Sequence, residues 1–275
     1  MRWNRTACSF ANAARKASQR PLPEFQSGWR KSLAPRHLEL GILLSGTGKP
    51  AEAEAEFRRT VAIRQKLVDD NPSDIDLRDG LSYDYLRIAA RQAWFGQDKE
   101  LSSACEKLLS LAKDTEDPAL ADKAAKCCSL RQADPRRCEA ALVLARRAVE
   151  QGKGSQGLVD FEMALGMAEY RSGHFAEADA ALTAAMNDPG NNNAVSSTSA
   201  FYRAMGLFRQ GKTDLARKLA TEAAAKMKPL PVDEQKPLLG GGDADDLIMW
   251  LAYKEAKAMI QFDATPAAPA QHHTK

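Results

Sequence analysis

The sequence has no long apolar run: nothing in its 275 residues approaches the ~18–20 consecutive apolar residues that span a bilayer. The N-terminal segment, basic through Arg2, Arg5, Arg15, Lys16 and Arg20, also lacks the continuous apolar core of a signal peptide. Charge of one sign is missing too. Lys and Arg total 39 against 36 acids, a net charge of +3, which provides no concentrated basic face for nucleic acid. Histidines number only four, and His272 and His273 lie in the last residues. The five cysteines, Cys8, Cys105, Cys127, Cys128 and Cys138, are odd in number, include an adjacent pair and contain no CxxC. That pattern excludes a disulfide framework or a zinc site and predicts buried, reduced thiols in a cytoplasmic protein. Val and Ile are scarce and alanine abundant, so strands give way to helices.

What is present is a recurring helical template. Residues 161–189 hold two helical patterns joined at Ser172-Gly173-His174, with small Gly166, Ala178 and Ala185 where the helices touch and Leu165, Phe175 and Leu182 filling the other inward places. Setting Gly41 beside Gly166 brings Gly48 beside Gly173, Ala53 beside Ala178, Phe57 beside Leu182 and Thr60 beside Ala185. Residues 199–228 repeat the pattern through Ala204, Gly211, Ala216, Ala220 and Ala223. A degenerate copy over residues 81–113 turns at Gly96 and carries Ala89 in the small position. Residues 118–130 and 135–151 form a further pair, each opened by a proline suited to a first helical turn.

The expected organisation is all-α, an α-solenoid of antiparallel helix pairs over residues 23–230. A disordered basic leader (1–22) precedes it. A Pro/Gly loop (231–242), a C-terminal capping helix (243–262) opened by Asp243 or Asp245, and a disordered tail (263–275) follow.

The spacing of small residue, glycine turn, alanine, large apolar residue and alanine resembles tetratricopeptide (TPR) repeats. Segments such as HLELGILLSGTGKPAEAEAEFRRTVAIRQKLVDDNP, CEKLLSLAKDTEDPALADKAAKCCSL and LGMAEYRSGHFAEADAAL further resemble the TPR arrays attached to large bacterial serine/threonine protein kinases. The resemblance runs over most of residues 23–260 and implies a signalling-associated array that binds another protein or peptide. It implies no kinase activity, because a kinase catalytic loop and a lysine-bearing strand are missing, and Asp160-Phe161 continues with Glu162 rather than glycine.

Other chemical motifs have repeat explanations. Gly206, Gly211, Lys212 and Thr213 match a phosphate-binding loop to the letter, and a nucleotide-dependent signalling protein using residues 206–213 is the alternative reading. Such a loop needs a strand before it, whereas SSTSAFYRAM has a helical pattern and Gly211 is also a repeat turn. Gly152, Gly154 and Gly157 fit GxGxxG but follow a helix, as an inter-repeat linker would. Glu52, Glu54 and Glu56 alternate beside arginines as a solvated helix face. No serine stands in a nucleophile elbow, so the sequence is that of a non-enzymatic scaffold with no catalytic, cofactor or metal residues expected.

In TPR proteins the first helix of each pair lines the concave surface. The repeat register places Leu38 and Ile42 there in the first copy. Tyr83, Leu86 and Trp94 follow in the degenerate one, then Met163, Met167 and Tyr170, then Phe201, Met205, Phe208 and Arg209. Adaptable Met and aromatic side chains suit an apolar peptide or helix.

Overall fold

Four of the expected turn glycines adopt the left-handed backbone that L side chains rarely enter: φ is 78° at Gly48, 68° at Gly96, 83° at Gly173 and 77° at Gly211. Each turn closes in the same way. The glycine N–H donates to the carbonyl three residues back (Ser45, Ala93, Tyr170, Phe208), and the next N–H donates to the carbonyl five back (Leu44, Gln92, Glu169, Leu207) at 2.9–3.0 Å. This is the Schellman arrangement, which satisfies the last carbonyls of one helix while reversing the chain into the next. The computed structural model describes residues 23–238 and 243–262. The leader (1–22), residues 239–242 of the expected loop and the tail (263–275) lie outside the described residues.

Eleven helices and no strand occur among the described residues. They are α1 (Pro23–Gly46), α2 (Pro50–Asp70), α3 (Ile75–Trp94), α4 (Asp98–Ala112), α5 (Pro118–Ser129), α6 (Pro135–Gln151), α7 (Leu158–Arg171), α8 (Phe175–Asn187), α9 (Asn193–Arg209), α10 (Thr213–Lys226) and α11 (Ala244–Met259). The first ten form five consecutive pairs, an all-α solenoid. Helices α3, α5, α7 and α9 pack one against the next as an inner row. Their partners α4, α6, α8 and α10 form the outer row, each also touching the inner helix of the following pair where one exists. Side chains at matching steps from the turn glycines are buried in every copy: Ala53, Leu101, Ala178 and Ala216 in one row, Phe57, Cys105, Leu182 and Ala220 in the next.

Helix starts differ from the expectation where a cap was overlooked. Asp74 accepts from Leu77 N–H at 3.1 Å and opens α3 six residues before Leu81, and Asn192 accepts from Val195 N–H at 2.9 Å to open α9 six residues before Ser199. Of the two aspartates offered for α11, Asp243 is the cap. It exchanges bonds with Asp246, the Asp243 N–H reaching the Asp246 carboxylate at 3.1 Å and the Asp246 N–H reaching the Asp243 carboxylate at 3.0 Å.

Helix α11 does not sit on the outer end of the last pair as a cap would. It packs along α9 and reaches back to α3, across the inner row. The physical reason is its composition: Leu247, Ile248, Met249, Trp250, Ala252, Tyr253 and Ala256 are all buried, leaving no broad polar face. A helix apolar on nearly every side needs cover on more than one, which a concave surface supplies.

Candidate interaction groove

The inner row forms a concave wall, and α11 lies in it. Aromatic side chains join the two. Trp94 of α3 meets Trp250 with ring centroids 6.0 Å apart, and Phe201 of α9 meets Tyr253 edge-on at 5.6 Å. The Lys254 ammonium lies 3.9 Å from the centre of the Trp94 ring and pairs with Glu234 at 2.6 Å, while Trp94 Nε1 donates to the Glu234 carbonyl at 2.9 Å. On the other side Trp250 Nε1 donates to the Lys228 carbonyl at 3.0 Å. The segment leading into α11 is thus stitched to both the helix and the array.

One cation in the floor, Arg171, pairs with an acid on α11, and a second, Lys126, lies in the field of another. Arg171 ends α7 and is almost fully buried. Its guanidinium forks onto Glu255 at 2.5 and 2.6 Å and also donates to the Ser129 and Leu130 carbonyls and to the Tyr202 hydroxyl. Burial works against that charge, but Tyr202 and Glu255 outweigh it and the net effect raises the Arg171 pKa. Lys126 of α5 pairs with Asp122 at 3.1 Å and Asp160 at 3.0 Å, and the field of Asp245 on α11 adds to theirs. Burial again opposes the charge and the three carboxylates hold it in place, so the Lys126 pKa also rises. Asp245 and Glu255 are ten residues apart, about 15 Å of helix and roughly 2.8 turns, so they stand about 80° from each other around the α11 axis.

Of the twelve residues placed in the groove by the register, eight lie within or against the core that holds α11. Met163, Met167, Tyr170, Phe201 and Met205 are buried in the one continuous cluster that also contains Leu247, Ile248, Met249, Trp250 and Tyr253. Tyr170 additionally reaches Met259 Sδ at 3.9 Å and stacks edge-on with Tyr202. Leu86 is buried in the same cluster, and Trp94 and Phe208 are half-buried against it. Tyr83 is half-exposed beneath the Arg87 guanidinium, and Arg209 is exposed. Leu38 and Ile42 belong to a separate small cluster with Ala53, Phe57 and Ile88. The register missed Lys126 and Arg171. A cation at an inner-helix position of an apolar surface was the available signal.

Residues 206–209 continue α9, and the N–H groups of Gln210, Gly211 and Lys212 are spent on the Gly206, Phe208 and Leu207 carbonyls rather than aimed at an anion. Lys212 Nζ bonds Gln210 at 2.9 Å. Gly154, with φ of 79°, shapes the α6–α7 linker. Glu56 departs from the expected solvated face: it is buried between α1 and α2, bonded to His37 Nδ1 at 2.5 Å and to Arg59. His174 is likewise held by Glu169, at 2.7 Å. Among the described residues no group of three or more His, Cys, Asp or Glu has the arrangement of a metal site, and no helix is long and apolar enough to cross a membrane.

No family model matches the chain, no curated protein is significantly similar to it, and no solved structure matches it.

Proposed function

We propose that this chain is a non-enzymatic protein–protein interaction scaffold, a TPR-like array whose concave groove is held by its own C-terminal helix until a partner segment takes its place. The observation that carries the reading is the seat of α11: an amphipathic docking site already occupied, with Trp94 and Phe201 taking aromatic rings and Arg171 taking a carboxylate. The partner segment then has the chemistry of α11: a helix rich in large apolar side chains with an acid facing Arg171. The kinase-linked resemblance makes a signalling protein the natural context, with this chain as a regulatory arm or a relative of one.

The test compares the native chain with Glu255→Ala in partner capture, with and without a free peptide spanning residues 243–262. Removing Glu255 leaves Arg171 without its forked carboxylate and weakens the seat of α11, so the variant should capture more partner and the peptide should compete for it. Equal capture by both chains together with no competition by the peptide would remove the groove as the docking surface.

A further inference from the structure

A second site stands beside the groove, between α4, the end of α5 and the turn into α6. Its cavity, about 750 Å³, is walled by Cys105, Cys127, Cys128, Arg131 and Arg137 among others. Cys105 Sγ lies 3.5 Å from Cys127 Sγ and 3.5 Å from the Cys127 carbonyl oxygen. All three cysteines are free and buried, yet they border open space large enough for a small molecule. The sulfurs do not form a metal-holding group, which leaves thiol chemistry. The two arginines are fixed in place: Arg131 donates to the Ala93 carbonyl at 2.8 and 3.1 Å, and Arg137 donates to Ser102 Oγ at 2.8 Å.

We propose that Cys105 and Cys127 form a peroxide-reactive dithiol site, in which a hydroperoxide entering this cavity converts the pair to an intrachain disulfide between α4 and α5. Cys105 is the attacking sulfur. Hydrogen bonds from the Cys127 and Cys128 thiols move its pKa below the ordinary value against the opposition of burial, and Arg137 adds to the effect, whereas Cys127 moves the other way. The Cys105 proton goes to solvent, and the thiolate attacks the hydroxyl oxygen of the hydroperoxide. A sulfur–oxygen bond forms, the oxygen–oxygen bond breaks, and the leaving alkoxide takes up a proton from solvent to become the alcohol. Cys127 then loses its proton and attacks the Cys105 sulfenic sulfur. The disulfide forms, hydroxide leaves, and it combines with that proton as water. The two thiols lose two electrons, which the hydroperoxide gains. Arg131 and Arg137 face the space where the departing oxygen becomes negative. The two sulfurs, 3.5 Å apart, close to the bond length of about 2.05 Å when the disulfide forms.

The experiment treats the reduced full-length protein with hydrogen peroxide and maps tryptic peptides without reductant. The expected product joins residues 100–107 to residues 127–131. It persists in Cys128→Ala and Cys138→Ala and disappears in Cys127→Ala, where dimedone instead traps Cys105 as the sulfenic acid. The mapping on the native chain stands even if a variant fails to fold. Cys105 still fully alkylatable after peroxide and denaturation would overturn the proposal, and so would a cross-link that survives Cys127→Ala through Cys128.

Discussion

At the scale of single residues, two glycines on equivalent inner helices have opposite roles, and they separate packing from coincidence of motif. A Cβ at Gly166 would lie 2.3 Å from Leu182 Cγ and 2.5 Å from Cδ2, so the glycine is what lets α7 and α8 approach. The same atom at Gly206 would meet only Tyr170 Cδ2, at 3.9 Å. Gly166→Ala should therefore destabilise by about 1–3 kcal/mol through overpacking. Gly206→Ala should stabilise by roughly 0.5–1 kcal/mol, because a helix interior favours alanine. Denaturant unfolding of both variants checks the pair, and destabilisation by Gly206→Ala would show that this glycine has a role beyond the helix. Asp84 supplies a pH prediction. It lies 2.5 Å from Arg64, yet burial is the larger influence and pushes its carboxyl up to about 6 against Arg64 and Arg87. Between about pH 4 and 6 the folded state holds a proton at Asp84 that the unfolded state has released, so stability from this group is lost as pH rises through that window. Unfolding free energies measured from pH 4 to 7 should fall, relative to Asp84→Asn, by something on the order of 2–3 kcal/mol. Parallel curves for the two proteins would place the titration elsewhere.

At the scale of elements, the helix pairs were legible because each rests on local signals. A glycine in the left-handed region at Gly48, Gly96, Gly173 and Gly211, with a small residue seven positions before it, fixes where one helix reverses onto the next. The all-α class follows from those pairs alone. The place of α11 was not legible in the same way. Its register belongs to no repeat, and its position across the inner row is set by contacts between residues far apart in sequence, Trp94 with Trp250 and Arg171 with Glu255. One clue was present, the run from Leu247 to Tyr253 with no polar face, which no end cap exposed on one side would tolerate. The groove residues show the same division. Repeat register assigned Met167 and Met205 to the concave wall, and long-range packing then buried them completely. Charges at those two positions would test the core and say nothing of the groove. Lys126 and Arg171 escaped notice because a buried cation is recognised by its partners, and apart from Asp122 on the helix of Lys126 itself, the acids that pair with them, Asp160 and Glu255, come from other helices.

At the scale of the whole molecule, α11 closes the array upon itself, joining α9 to α3 across the inner surface. A helix tethered by a short connection competes for its own groove at an effective concentration of about millimolar, so a partner must bind the vacant groove well below that level to displace it. Displacement further requires that α11 open as a unit while the five pairs stay folded. Its connection permits this: residues 227–238, the described part of the link, contain no helix and none of the tight glycine turns that lock the repeats. The most direct measurement is native-state hydrogen exchange on the amides of α11 and α9, in the native chain and in Glu255→Ala. The scaffold account predicts that α11 exchanges through a partial opening at least about tenfold faster than α9, and that the variant speeds α11 alone. Identical protection of α11 and α9 in both proteins, lost together at global unfolding, would contradict it and make α11 a fixed part of the core.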